Sequence, residues 1–140
     1  MLDKEPIPSV WINGTFDVIH SGHIKLFRYA RMLAGPKGQV IVGIDTDERI
    51  KLSKGPTRPV NTLTDRMYVL SSIKYINQLV SFATDTELES LIYNIKPKFM
   101  VIGDDYRNKP IIGSEHIENI FYVTRDDKST TNVLRDSIYV

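Results

Sequence analysis

Short apolar runs alternate along this chain with longer segments whose apolar residues recur at helical spacing. The runs predict five strands, at residues 10–12, 40–44, 76–82, 99–102 and 120–123. Between them, apolar side chains return every three or four residues, as at Ile24, Phe27 and Ala30, which is typical of an amphipathic helix. Strands separated by helices predict a Rossmann-like, doubly wound α/β fold, in which a mainly parallel five-stranded sheet carries helices on both faces.

Polar residues with good capping side chains mark where the predicted helices begin. The predicted N-caps are Ser21, Asp45, Thr62, Thr84 and Ser129. The helix that Asp45 opens is expected to be short and to end at Ile50. Residues 51–59 hold lysines, a glycine and two prolines, and they are predicted to form a mobile loop.

Composition and charge narrow the classes of function. The 140 residues suit one domain, residues 1–140. The net charge of +1 predicts no nucleic-acid partner and no membrane surface partner. The absence of cysteine excludes disulfides, thiolate catalysis and cysteine-ligated zinc. No segment resembles a signal peptide or a membrane span, so we expect a cytoplasmic protein.

The residues that follow the predicted strands are the first candidates for a ligand site. Ligands of open parallel sheets bind at the carboxyl ends of the strands. Gly14, Asp45, Gly103 and Arg125 each follow a different strand, so we expect them at one rim of the sheet.

Two histidines lie where the first strand passes into the first helix. His20 and His23 flank Ser21 and Gly22, beside a helix N-terminus whose amides attract phosphate. Imidazoles at this place can donate to phosphoryl oxygens, and Gly22 leaves room for them. The alternatives are two ordinary histidines or a zinc site, for which His116 is the remaining imidazole.

Several other polar residues are candidates for contact with phosphate. The loop cations Lys51, Lys54 and Arg58 can close over a triphosphate, although loop cations are often merely solvated. The helix start at Ser129, Thr130 and Thr131 is a second candidate anion site or a plain cap. Arg125 is a candidate phosphate clamp or a partner of the acidic residues that follow it.

Carboxylates at the predicted rim are candidates for a different contact. Asp104, which follows Gly103, can accept hydrogen bonds from sugar hydroxyls or a base amino group, or can serve a turn. Asp17 and Asp47 are open to the same two interpretations.

These motifs together resemble a known family. The segment 14–23, which reads Gly-Thr-Phe-Asp and then His-Ser-Gly-His, resembles the signature of the cytidylyltransferase-like (HxGH) nucleotidyltransferases. The strand-end residues 103–106 and the helix start 129–131 are similar to later motifs of that family. The likeness covers nearly the whole chain. The family joins a nucleoside triphosphate to a phosphorylated acceptor and releases pyrophosphate.

Finer features are similar to one branch of the family. Residues 54–61 and 112–115 resemble the adenylyltransferase that makes ADP-heptose from heptose 1-phosphate and ATP, which is often the second half of a bifunctional kinase–adenylyltransferase. The nearest alternative is glycerol-3-phosphate cytidylyltransferase, a CTP enzyme, since Asp104 and Arg125 are similar to its residues. An FAD synthetase of archaeal type is a third possibility. Outside enzymes, a nucleotide-binding sensor module and a structural α/β domain remain.

The resemblance implies a role for each matching residue. His20 and His23 would stabilise the α-phosphoryl group, and Gly14, Thr15 and Phe16 would line the phosphate site. Lys51, Lys54 and Arg58 would engage the other phosphates. Ser129, Thr130 and Thr131 would bind the triphosphate, while Asp17, Asp47 and Asp104 would contact the nucleotide or sugar. Mg²⁺ is the implied cofactor, held through the phosphates rather than by protein side chains, and a homodimer is a possible assembly.

Overall fold

The computed structural model describes residues 7–103 and 110–124, in which strands and helices alternate. The strands are β1 (Ser9–Gly14), β2 (Gln39–Asp45), β3 (Gln78–Phe82), β4 (Phe99–Gly103) and β5 (Asn119–Val123). The helices are α1 (Ser21–Ala34), α2 (Asp47–Lys54), α3 (Leu63–Ser71) and α4 (Asp85–Ile95), and a 3₁₀ helix at Ser114–His116 precedes β5. Each of the five predicted strands is therefore present, while the predicted helix at Ser129 lies outside the described residues. The single domain over residues 1–140 stays a prediction.

The five strands form one sheet in the order β3-β2-β1-β4-β5, and every neighbouring pair is parallel. The predicted Rossmann-like α/β fold is confirmed. The strand order changes direction at β1, which has β2 on one side and β4 on the other. The carboxyl ends of β1 and β4 therefore border the crevice where sheets of this kind bind ligands.

The helices cover both faces of the sheet, as the alternation of side chains along the strands requires. Val10 and Ile12 of β1 pack in one apolar cluster with residues of α1 and α3, including Phe27 and Leu70. Trp11, which points to the opposite face, packs in a second cluster with residues of α4 and β4. The residues of the central strands, which contribute side chains to both clusters, are buried almost completely.

The helix starts agree with the sequence prediction at two places and differ at two. Thr62 and Thr84 cap α3 and α4, as predicted, through hydrogen bonds that their hydroxyls accept. The predicted caps Ser21 and Asp45 are wrong. The N-cap of α1 is His20, and the N-cap of α2 is Thr46 because Asp45 is still the last residue of β2.

The segment after β2 also differs from its prediction. Residues 51–54 are helical rather than part of a loop, since α2 continues to Lys54 and ends where Gly55 adopts φ 104°. Lysine and leucine are good helix formers, but Leu52 is 90% exposed. The helix therefore lacks the apolar periodicity from which it could have been predicted.

A glycine in β2 makes room for the single tryptophan beneath the sheet. Trp11 is fully buried, and its indole N–H donates to Asn13 Oδ1 at 2.8 Å. A Cβ atom at Gly43 would lie 2.5 Å from the indole ring and 3.2 Å from the Phe82 ring. The core at this place has no space for even one methyl group.

We expect Gly43→Ala to destabilise the fold by about 1–3 kcal/mol, because an added methyl group overpacks this part of the core. Urea unfolding measures the effect as a lower midpoint with an unchanged slope. Gln39→Ala, at an exposed position of the same strand, is the control and should change the free energy of unfolding by less than about 0.5 kcal/mol. Equal midpoints for the two variants would contradict the packing argument.

Candidate active site

The turn between β1 and α1 is anchored in the core by an aromatic residue. Phe16 adopts a left-handed backbone conformation, with φ 51°, and its ring is buried. The ring packs against Phe27 at 5.2 Å and against His23 at 5.7 Å between centroids. A Cβ atom on Gly14 would lie 3.0 Å from the Phe16 ring, so the ring fits closely against the backbone at this glycine. The shape of this turn thus follows from core packing.

The two histidines cap the first turn of α1 reciprocally. His20 Nδ1 accepts a hydrogen bond from the Gly22 backbone N–H at 3.1 Å, and His23 Nδ1 accepts one from the His20 backbone N–H at 3.1 Å. Their ring centroids lie 4.0 Å apart. Protein atoms enclose His20 Nε2, and a hydrogen bond made in such an environment is shielded from water and correspondingly stronger. Both imidazoles therefore sit at the electropositive end of α1, beside the carboxyl end of β1.

A buried arginine joins the segments that surround this turn. Arg66, on α3, is 1% exposed. Its Nη1 donates to the carbonyl oxygens of Thr15 at 2.9 Å and Asp45 at 2.7 Å. Its Nε donates to the carbonyl of Asn61 at 3.0 Å, and its Nη2 pairs with the Asp47 carboxylate at 2.7 Å. One guanidinium group thus ties the ends of β1 and β2 to the segment before α3.

Asp17 attaches that same segment to the β1–α1 turn. Its carboxylate oxygens accept the backbone N–H groups of Val60 at 2.7 Å and Asn61 at 2.8 Å, and the Asn61 side chain donates back to the Asp17 carbonyl at 2.7 Å. Arg58 Nε lies 3.5 Å from the same carboxylate. Arg58, near the end of the segment predicted to be a mobile loop, and the two residues that follow Pro59 are therefore held at the site, because a buried carboxylate needs these donors.

Arg58 retains donors that the described residues do not use. Its Nε and Nη2 atoms are buried, and among residues 7–103 and 110–124 neither has a hydrogen-bond partner. A buried guanidinium N–H is costly without an acceptor. Beside the turn that holds Asp17, such donors suit an anion.

A second ion-pair system lies at the end of β2. The Asp45 carboxylate accepts the Thr15 hydroxyl at 3.1 Å and lies 3.3 Å from Arg49 Nε. Arg49 also pairs with Asp85 at 2.7 Å and lies over the Phe82 ring. The carboxylate of Asp45, the last residue of β2, therefore already interacts with Thr15 and Arg49.

The structure brings together most of the predicted site residues that it describes. Those at the carboxyl edge of the sheet are Gly14, Thr15, Phe16, Asp17, His20, Gly22, His23, Asp47 and Gly103. Arg58 is joined to them by its ion pair with Asp17. Lys51 and Lys54 lie in the last turn of α2, roughly 6 Å and 10 Å along the helix axis from its start. The remaining predicted residues, Asp104, Arg125, Ser129, Thr130 and Thr131, lie outside the described residues.

Two residues that organise the site, Arg66 and Asn61, were not predicted from the sequence as site residues. The signal for Arg66 was its place four residues before Leu70, which puts a charged residue on the buried face of α3. Asn61 had no comparable signal, because its partner, Asp17, is 44 residues away in the chain.

The residues that the structure describes do not support the zinc alternative. His116 is on the 3₁₀ helix that precedes β5, and its Nε2 lies 3.2 Å from Glu89 and 3.5 Å from Glu115. These three exposed side chains lie apart from the His20–His23 pair, so the three imidazoles are not brought together.

We expect Arg66→Met to cost about 3–5 kcal/mol of folding stability, because removing the guanidinium takes the side-chain donor from three backbone carbonyls and leaves Asp47 with only the Leu63 N–H. Urea unfolding of the purified protein measures the loss. Arg49→Met is the matched control: its nearer partner, Asp85, is exposed, and its second partner, Asp45, keeps the Thr15 hydroxyl, so its loss should be about 1 kcal/mol. A cost for Arg66→Met no larger than that of the control would contradict the role of Arg66.

The chain is similar in sequence to proteins described as bifunctional protein HldE. It is 35% identical to the one from Campylobacter fetus over 134 residues, which cover 95% of this chain and 28% of that protein. It is 38% identical to the one from Klebsiella pneumoniae over 131 residues, 90% of this chain and 27% of that protein. The chain thus spans about a quarter of the length of these curated relatives.

The fold is shared with solved structures of low sequence identity. A lipopolysaccharide core biosynthesis protein from Thermoplasma volcanium matches with a TM-score of 0.70 and 19% identity, covering 87% of this chain and 100% of that one. A macrolide-efflux protein from Streptococcus pneumoniae matches with a TM-score of 0.68 and 23% identity, covering 94% of this chain and 52% of that one. These likenesses concern the fold alone. Within the described residues no helix has the length and apolar character that crossing a membrane demands.

A family model also matches most of the chain. The model described as cytidylyltransferase-like matches residues 11–132, a range that begins in β1 and contains the histidine pair and the Arg66 network. The chain therefore belongs to the cytidylyltransferase-like family, a family of nucleotidyltransferases.

Proposed function

We propose that this chain transfers AMP from ATP to a sugar phosphate such as heptose 1-phosphate and releases pyrophosphate. The observation that carries the proposal is the pair of imidazoles, 4.0 Å apart, at the N-terminus of α1 and beside the strand-order change of the sheet. Ring N–H groups at the electropositive end of a helix suit a phosphoryl group.

The chemistry asks for little beyond positioning and charge stabilisation. An oxygen of the acceptor phosphate attacks the α-phosphorus, and the bond from that phosphorus to the bridging oxygen breaks. Pyrophosphate leaves with the electron pair. Since a phosphate monoester is ionised near neutral pH, no strong base is needed. His20 and His23 stabilise the charge on the α-phosphoryl oxygens, and Arg58 supplies donors for a neighbouring phosphate.

Mg²⁺ fits this site as a companion of the nucleotide rather than as a protein-bound ion. The carboxylates of Asp17, Asp45 and Asp47 are each engaged by backbone, hydroxyl or arginine donors. Carboxylates that already accept these hydrogen bonds do not form a ready set of ligands for a cation. Mg²⁺ is instead commonly held through substrate phosphates and water. When bound, the ion would neutralise part of the charge of the triphosphate.

The choice of heptose phosphate rests on two supports. Residues 54–61 and 112–115 resemble the ADP-heptose-forming branch, and the relatives that match 89–95% of the chain carry the name bifunctional protein HldE. The word bifunctional agrees with the two-part enzymes in which that adenylyltransferase is often the second half. The alternative, a CTP-dependent enzyme acting on glycerol 3-phosphate, is supported by Asp104 and Arg125, which resemble the cytidylyl branch.

Pyrophosphate release tests the proposal when ATP, CTP, GTP and UTP are each combined with heptose 1-phosphate, other sugar phosphates and glycerol 3-phosphate. We expect the highest kcat/KM for ATP with a sugar 1-phosphate. Turnover should fall at least about 100-fold in His23→Ala, by analogy with the loss of one transition-state donor. It should be unchanged in His116→Ala, which alters an imidazole far from the site.

Two other results would change the conclusion. The highest kcat/KM for CTP with glycerol 3-phosphate would replace the proposal by its alternative. Nucleotide-induced stabilisation without pyrophosphate release from any pair would indicate a sensor module instead of an enzyme.

The lysines of α2 generate a separate prediction. Lys51→Ala and Lys54→Ala should each reduce kcat/KM for the nucleotide about tenfold, since a hydrogen bond to a charged group contributes about 1.5–3 kcal/mol. Lys37→Ala is the control, because Lys37 is exposed in the turn that precedes β2, at the opposite edge of the sheet. If both α2 variants match the control in kcat and KM, these lysines do not contact the triphosphate.

A further inference from the structure

We infer that His20 and His23 hold each other in one tautomer, neutral with the proton on Nε2, by capping helix α1 reciprocally. The inference rests on the proposed function only for its catalytic consequence. The tautomer itself follows from the hydrogen bonds of the protein.

The Nδ1 atom of each ring is an acceptor. His20 Nδ1 receives the Gly22 N–H and His23 Nδ1 receives the His20 N–H, both at 3.1 Å. A ring nitrogen that accepts a backbone N–H carries no proton, and a neutral imidazole then has its proton on the other nitrogen. Both rings are therefore neutral and present an Nε2–H group.

The arrangement is a capping box built from histidines. In the usual box, a serine or threonine at the N-cap and a glutamate or glutamine three residues later satisfy two amides that the helix leaves unpaired. Here His20 and His23 occupy the two positions. A proton on either Nδ1 would break one of these bonds and add positive charge at the positive end of the helix dipole. The helix start thus selects the tautomer.

The tautomer determines which ring nitrogen of each histidine carries a hydrogen-bond donor. Each Nε2–H lies on the side of its ring away from the capped amides, and the edge-to-face contact between Phe16 and His23 orients the second ring. The protonated nitrogen of each ring is thereby fixed before any phosphate arrives, which avoids a change of tautomer during the reaction. His20 and His23 act as positioning residues for each other, and they donate hydrogen bonds to the α-phosphoryl group without transferring a proton.

The tautomer can be observed directly by NMR. Protein labelled with ¹⁵N-histidine gives long-range ¹H–¹⁵N correlations whose pattern distinguishes Nδ1–H, Nε2–H and doubly protonated rings. Without nucleotide and near neutral pH, we expect the Nε2–H pattern for two rings, with the third assigned to His116 through His116→Ala. An Nδ1–H or doubly protonated pattern for His20 or His23 would overturn the inference.

Two substitutions of His20 test its Nδ1 acceptor, which caps the helix, separately from its Nε2–H donor. His20→Asn keeps an acceptor near the Nδ1 position, and asparagine is a favoured N-cap. His20→Gln keeps a nitrogen near the Nε2 position but is a poor N-cap. We expect Tm within about 2 °C of the parent for the asparagine variant and a Tm lower by roughly 3–5 °C for the glutamine variant. Equal losses of Tm would overturn the reciprocal cap.

Turnover should change in the opposite order. The asparagine variant, which lacks the Nε2 donor, should lose at least about 100-fold in kcat, and the glutamine variant should retain more activity. If His20 had a purely structural role, the variant with the lower Tm would also have the lower kcat. If the NMR pattern and the Tm order hold but no pair of substrates releases pyrophosphate, the proposed function fails and the cap stands. If transfer occurs with the wrong tautomer, the inference fails and the proposed function stands.

Discussion

The burial of one arginine constrains the whole carboxyl edge of the sheet. Arg66 is 1% exposed, and a buried guanidinium is tolerated only when its donors are satisfied. Its acceptors come from Thr15, Asp45, Asp47 and Asn61, which belong to three segments distant in the chain. Each of these segments must therefore stay close to the others. The turn that holds the histidines is fixed on its other side by Phe16, whose ring lies in the core.

The charged and polar side chains at this edge of the sheet have two different roles. Buried ion pairs, such as Arg66 with Asp47, organise the backbone and are already engaged. The groups suited to phosphate are different: two imidazoles at a helix start and the buried Nη2 of Arg58, which makes no hydrogen bond within residues 7–103 and 110–124. Neutral and preorganised donors suit a reaction in which the substrate and Mg²⁺ bring most of the charge.

Much of the fold could be predicted because the signals are local. The apolar runs of β1 to β5 and the capping residues Thr62 and Thr84 lie within a few positions of the elements that they predict. The errors arose where local signals compete. Ser21 is a better intrinsic cap than a histidine, yet His20 caps α1 because its ring can reach the Gly22 amide. The predicted end of α2 at Ile50 rested on the lysines, glycine and prolines that follow, whereas the helix continues to Lys54 with Leu52 exposed.

The sequence by itself determined the class of the fold and the pair of histidines beside a strand end, since spacing along the chain carries both. The tertiary structure decided which residues from distant segments each polar group of the site meets. Asp17 shows the difference: by sequence it was a candidate ligand, but its carboxylate holds Val60 and Asn61. A buried group is satisfied by whatever the fold brings near it, and those partners lie more than 40 residues away, beyond the reach of any local pattern.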